Sequence, residues 1–72
     1  MEVKLFATLR ENRGKTADIQ WREGLTGRDL LRGLGIKEEE VTTFLVNGMN
    51  KTPDVILEEN DIIALFPPVG GG

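Results

Sequence analysis

The chain has 72 residues, a formal net charge of −3, and neither cysteine nor histidine. That length fits one small domain, near the lower limit for folding without staples; the missing residue types exclude disulfides, thiolate or imidazole metal sites, and Cys/His or Ser/His nucleophilic pairs. The acidic balance argues against nucleic acid or an anionic membrane as partner. No apolar run approaches the roughly 18 residues of a membrane span, and no signal peptide stands before the first strand, so the expected location is cytoplasmic.

Residues 1–9 alternate and predict a first strand, with Val3, Leu5, Ala7 and Leu9 on one face and Lys4, Phe6 and Thr8 on the other. Residues 10–16 are a polar connection turning at Gly14. Residues 17–21 return as a second, antiparallel strand, with Ile19 and Trp21 on one side. Thr26 is a helix N-cap: its hydroxyl is placed to accept from the amide three residues on, where Asp29 sits near the positive end of the dipole. Leu30, Leu31 and Leu34 share one face of a helix over residues 27–34, and Gly35 caps its end. Gly27 and Gly33 weaken that helix, each by up to about 1 kcal/mol if interior. Packing against a sheet must therefore hold it.

Residues 36–41 predict one helical turn or an extended link. Glu38, Glu39 and Glu40 point in different directions on either, and read as a solvated charge run rather than a metal or acid–base cluster. Residues 43–46 are a third strand, Asn47-Gly48 is a two-residue hairpin turn, and residues 49–52 are a short return strand that Pro53 stops. Val55, Ile56 and Leu57 supply core residues from a connection, and residues 58–61 make a polar turn. Residues 62–66 are apolar on both faces, as a central strand is. The order of elements gives an α+β domain, with one principal helix on one face of the sheet.

The last six residues have a different character. Pro67 and Pro68 favour an extended path, whereas Gly70, Gly71 and Gly72 add nothing to a core and lose the most entropy on being ordered. Extended, residues 67–72 reach on the order of 20 Å, enough to carry a terminal carboxylate into a buried site on another protein. The expected organisation is a domain over residues 1–69 and a flexible glycine tail over residues 70–72. If Val3, Leu5, Leu9, Phe44, Val46, Ile63 and Leu65 face the helix, then Phe6, Leu45, Ile62, Ala64 and Phe66 face away. With no second helix to cover them, they predict an apolar docking patch beside the tail.

Leu5-Phe6-Ala7-Thr8-Leu9-Arg10-Glu11 resembles the FAxLRE opening of the small subunit of molybdopterin synthase, the MoaD family. Leu45-Val46-Asn47-Gly48 is similar to that family's central hairpin. Asn60-Asp61, the strand over residues 62–66 and Pro67-Pro68-Val69-Gly70-Gly71-Gly72 are similar to its ending, GD then a strand then PPVxGG. The resemblance spans the whole chain. It implies a ubiquitin-like β-grasp fold, whose first and last strands lie adjacent and parallel, and a non-catalytic sulfur carrier with no bound cofactor or metal. Gly72 is the implied attachment point. A MoeB-like enzyme of the ubiquitin-activating type would adenylate it, using ATP and magnesium, and convert it to a thiocarboxylate. Sulfur would then be donated inside the MoaE-like large subunit of molybdopterin synthase. Gly70, Gly71 and Gly72 would enter the partner's active site, while Phe6, Leu45, Ile62, Phe66, Pro67, Pro68 and Val69 would dock.

Two positions differ from that pattern. Asn60 stands where the family usually has glycine, a replacement that asparagine allows because it tolerates the left-handed conformation. Gly70 occupies a position more often alanine or serine, and a triple-glycine end is also compatible with the ThiS family of thiamine-thiazole sulfur carriers. A ubiquitin-like protein modifier would use the same activation. Both stand as alternatives.

Overall fold

A computed structural model describes residues 1–68. The expectations for Val69, Gly70, Gly71 and Gly72, including the flexible tail over residues 70–72, lie outside the described residues. The strands are β1 (Glu2–Leu5), β2 (Thr16–Asp18), β3 (Thr43–Val46), β4 (Met49–Asn50) and β5 (Ile63–Phe66), with one helix, α1 (Gly27–Leu34), between β2 and β3. They form one mixed sheet in the order β2-β1-β5-β3-β4. β1 runs antiparallel to β2 and parallel to β5, which is antiparallel to β3 on its other side. The first and last strands are thus adjacent and parallel, as the β-grasp expectation requires.

Parity along the strands decides the core. Val3, Leu5, Ile63 and Leu65 are 0% exposed, and Phe44 and Val46 join them from β3. All six point to the face that α1 covers with Leu30 and Leu31, and Leu25, Ile36 and Leu57 close the same core from connections. The helix starts as its sequence dictates. Thr26 is extended and its hydroxyl accepts from the Asp29 amide at 3.1 Å, while the Asp29 carboxylate accepts from the Thr26 amide at 3.2 Å. Gly35 ends it in the left-handed conformation, φ 72°.

Several expected boundaries are corrected. The first strand stops at Leu5: Ala7 adopts φ 52° and residues Ala7–Arg10 form a 3-10 turn. Ala7 is exposed instead of facing the helix, and Leu9 reaches the core from that turn. The period-2 reading failed because one 3-10 turn also returns Leu9 to the buried side. The second strand is only Thr16–Asp18; Trp21 lies beyond it, its indole Nε1 donating to the Leu57 carbonyl at 3.0 Å. The return strand is Met49–Asn50, and the last begins at Ile63 because the Ile62 amide donates to the Asn47 side chain rather than to a ladder. Asn60 is absent from the left-handed region, where the non-glycine residues among those described are Ala7, Asn12 and Asn47. Its turn is closed instead by the Asp61 amide on the Glu58 carbonyl and by the Glu58 amide on the Asp61 carboxylate.

The glutamates separate as expected of a charge run. In the 3-10 turn Glu38–Glu40, Glu38 pairs with Arg28 while Glu40 accepts from the Lys37 amide. Gly27 and Gly33, read as simple helix weakeners, are places of close approach. A Cβ at Gly27 would lie 2.9 Å from Phe44 Cζ and 3.1 Å from the Pro53 carbonyl oxygen. One at Gly33 would meet only Ile19 Cδ1, at 2.9 Å, the terminal methyl of a half-buried side chain.

Two predictions follow from α1. Gly27→Ala should lower stability by about 1–3 kcal/mol through overpacking, whereas Gly33→Ala should be neutral or stabilising, because Ile19 can turn aside and alanine gains up to about 1 kcal/mol of helix propensity. Urea unfolding distinguishes them; equal effects would refute the close approach at Gly27. The second concerns Asp29, whose carboxyl is held below its ordinary pKa, first by the Thr26 backbone amide and then by the Thr26 side chain. A depressed folded pKa contributes stability that is complete above the unfolded value, about 3.9, and is lost as pH falls through the folded one. Asp29→Asn should therefore be less stable than the parent at neutral pH, with the gap narrowing on acidification below about pH 4. A gap constant with pH would overturn this assignment.

Candidate functional site

The site lies where β5 leaves the sheet. Extended backbone at Phe6 ends β1, and the left-handed turn at Ala7 lets the chain fold back beneath it. Phe6 then stacks on Phe66, the last residue of β5, with ring centroids 4.3 Å apart and planes 7° from parallel. Arg10 closes the other side of Phe6: its guanidinium carbon is 5.3 Å from the ring centroid, and its Nε donates to the Leu5 carbonyl at 2.8 Å. Such a cation over an aromatic face contributes about 0.5–1 kcal/mol when exposed. Phe66 is held on its other flank by β3, where Thr43 stands opposite it and the Thr42 amide donates to its carbonyl at 2.8 Å.

Beside the stacked rings runs an open groove of about 600 Å³, lined mainly by apolar atoms of Ala7, Thr42, Thr43, Leu45, Phe66, Pro67 and Pro68. Five expected docking residues therefore gather at one end of the sheet: Leu45, Phe66, Pro67 and Pro68 in the groove, and Phe6 stacked against it. Ile62 stands apart. It precedes the other end of β5, 51% exposed, next to Asn47. Val69, Gly70, Gly71 and Gly72 lie outside the described residues. Sequence reading missed Ala7, Thr42, Thr43 and Arg10. Thr43 was accessible, since alternation puts it on the face of Leu45. Ala7 was not, because its place depends on a backbone turn that no pattern at that position announces.

Among the described residues, no group of three or more His, Cys, Asp or Glu could hold a metal ion. No helix among them is long and apolar enough to cross a membrane. The groove carries no ionisable side chain in its lining; it is built to hold apolar atoms.

A family model described as ThiS family matches residues 3–72. The chain belongs to the ThiS family. Among solved structures, the chain is similar to SAMP1 from Haloferax volcanii, at 29% identity and a TM-score of 0.77, over 99% of this chain and 97% of that one. A second H. volcanii structure, small archaeal modifier protein 1, matches at 27% identity and a TM-score of 0.79, over 94% and 95%. A Pyrococcus furiosus chain described as molybdopterin converting factor, subunit 1, matches at 28% identity and a TM-score of 0.76, again over 94% and 95%. The fold is the ubiquitin-like β-grasp, in the form shared by MoaD- and ThiS-type sulfur carriers. In this ThiS-family chain, the stacked pair and the groove occupy the end of the sheet from which residues 67–72 continue.

Proposed function

We propose that this protein is a sulfur carrier for molybdopterin biosynthesis, loaded at the carboxylate of Gly72 by an ATP- and magnesium-dependent enzyme of the ubiquitin-activating type. The observation that supports it most directly is the outlet of β5. A strand bonded on both sides ends at Phe66, beside an apolar groove, four residues before the first of three glycines. A carboxylate is a poor acyl donor until one oxygen is joined to a nucleotide phosphorus as a mixed anhydride, and that intermediate needs a site that excludes water. Glycines at Gly70, Gly71 and Gly72 suit a narrow channel into such a site. The groove and the Phe6–Phe66 stack are the proposed docking surface, both for the MoeB-like activating enzyme and for a MoaE-like large subunit that consumes the sulfur. The carrier itself needs no general acid, base or metal. Pro67-Pro68-Val69 before the glycines favours this pathway over thiazole synthesis.

A second reading has its own support. The likeness to small archaeal modifier protein 1 favours a protein modifier, in which the same activated carboxyl is passed to a lysine amine. A ladder of conjugates in cells, lost on deletion of Gly72, would identify that role.

Loading is tested by intact mass after incubation with the activating enzyme, ATP, magnesium and a sulfur donor. One oxygen should be exchanged for sulfur. Deleting Gly72, or adding a residue after it, should abolish the exchange, because the reacting carbon is then misplaced by about 3.5 Å and about 1 Å can cost a hundredfold in rate. Normal loading of an untrimmed, extended variant would overturn the proposal. Docking is tested with Phe66→Asp, which should weaken binding of the activating enzyme by about 2 kcal/mol or more while the circular dichroism stays that of the folded parent. Unchanged affinity in that folded variant would remove the groove from the interface.

A further inference from the structure

At the opposite end of β5 from the groove, the turn between β3 and β4 is tied to the start of β5 by one residue, Asn47. Asn47 Nδ2 donates to Asp61 Oδ1 at 2.8 Å, and its Oδ1 accepts from the Ile62 amide at 2.9 Å. Its backbone amide donates to the Ile62 carbonyl at 2.8 Å. Asp61 is engaged in turn, its second oxygen accepting from the Glu58 amide at 2.8 Å. Asn47 and Gly48 are both exposed, and both have positive φ, 53° and 82°. Of the four asparagines, Asn12, Asn47, Asn50 and Asn60, only Asn47 precedes a glycine.

We propose that Asn47 is a site of spontaneous deamidation that Asp61 restrains, and that conversion of its amide to a carboxylate unties the β3–β4 turn from β5. The chemistry needs only water. The Gly48 backbone nitrogen attacks Asn47 Cγ and loses its proton, and the carboxamide nitrogen leaves as ammonia, closing a five-membered succinimide. Water then adds to either ring carbonyl and reopens the ring as aspartate or isoaspartate. One amide and one water become one carboxylate and one ammonium, with nothing oxidised or reduced. Gly48 makes the attack easy, since no Cβ crowds its nitrogen, whereas the other three asparagines precede Arg13, Lys51 and Asp61.

The fold opposes the reaction. For Cγ to approach the Gly48 nitrogen, the carboxamide must swing off Ile62 and Asp61 together, so closure waits for local opening of the turn. The product cannot return to the same place. A carboxylate at position 47 keeps an acceptor for the Ile62 amide but has lost the donor that met Asp61, and it sets two negative charges where a 2.8 Å hydrogen bond stood. Like charges at that spacing repel strongly. The isoaspartate product also lengthens the backbone inside a two-residue turn, where the β3–β4 register, Val46 opposite Met49, has no slack.

The experiment incubates the full chain at mildly alkaline pH, native and in urea, and locates aspartate and isoaspartate by peptide mapping. In urea, Asn47 should react while Asn12, Asn50 and Asn60 stay intact, and Gly48→Ala should suppress the product. In the native protein the reaction should be slower by about tenfold or more, as expected when it waits for local opening, and Asp61→Ala should close much of that gap. Should Asp61→Ala fail to fold, Asp61→Ser takes its place, and a folded Asp61 variant that reacts as slowly as the native parent would remove Asp61 from the restraint. Equal rates in the two conditions, or no product at Asn47 in urea, would overturn the proposal. The consequence is read separately in Asn47→Asp by hydrogen exchange. The amides of residue 47 and Ile62 should exchange faster than in the parent, while those of Val3 and Leu5 keep their protection; unchanged exchange at Ile62 would refute the untying.

Discussion

The parallel pairing of β1 with β5 is the contact on which the rest of the molecule depends. A parallel pair cannot be closed by a hairpin; the chain must leave one end of the sheet and return to the other. Here that return carries α1 and the β3–β4 hairpin. Val3 opposite Ile63 and Leu5 opposite Leu65 put four fully buried side chains at the centre of one face. Everything else is added outward from them. β2 pairs on the free side of β1 and β3 on the free side of β5, so β5 is fixed from both flanks. Its last residue, Phe66, can therefore stack on Phe6 and still present one side to the groove.

The helix meets this centre by close approach rather than by length. Eight residues span about 12 Å, while five strands span about 19 Å from first to last. The burial follows that difference: Val3 and Ile63 are sealed, but Met49, on the edge strand in the same transverse row, is 61% exposed. What brings α1 down onto β3 is the missing side chain at Gly27, together with backbone bonds that tie its first turn to residues 53–55. The Gly27 amide donates to the Val55 carbonyl at 2.9 Å and the Arg28 amide to the Pro53 carbonyl at 2.8 Å. Arg28 adds a surface clasp, with Nε and Nη2 on Glu38 and Nη1 on Asp54. Those bonds push its guanidinium pKa further up. Exposed pairs of this kind contribute little each; the backbone bonds and the glycine contact set the position of the helix.

Most of this was legible from the chain alone, for reasons that can be named. Thr26, Asp29 and Gly35 bracket the helix because their functional groups act on the nearest backbone amides and carbonyls, and such local chemistry survives any tertiary context. The centrality of β5 was legible because Ile63, Ala64, Leu65 and Phe66 offer no polar face. What escaped the sequence depended on distant partners. Leu5 ends β1 because Arg10 takes its carbonyl, and Ile62 stays out of β5 because Asn47 takes its amide. Asn60 needs no left-handed backbone because Asp61 closes that turn from its own side chain. Gly27 looked like a weakness because its value lies in Phe44 and Pro53, far along the chain. Of the candidate site, Phe6, Leu45 and Phe66 follow from alternation, while Ala7 and Arg10 depend on a turn that alternation does not foresee.

The outer face of the sheet shows why the groove lies only at the exit. One transverse row reads Thr16, Lys4, Ala64, Leu45, Asn50, apolar only on β5 and β3. The next, toward the exit, sets Phe66 opposite Thr43, with Phe6 stacked on Phe66. Apolar bulk thus increases along β5 toward its end, and the small Ala64 separates that bulk from Ile62. Under the carrier reading, this gradient has a geometric use. Six residue steps separate Phe66 from Gly72, so the reacting carbon lies within about 20 Å of the docking residue whatever path the chain takes. A partner that grips the groove must hold its reactive centre inside that radius. Apolar contacts placed farther back, at Ile62, would widen the radius by about 14 Å and relax the constraint. Concentrating the grip on Phe66, Pro67 and Pro68 keeps the distance short, so that binding at the groove also positions the carboxylate.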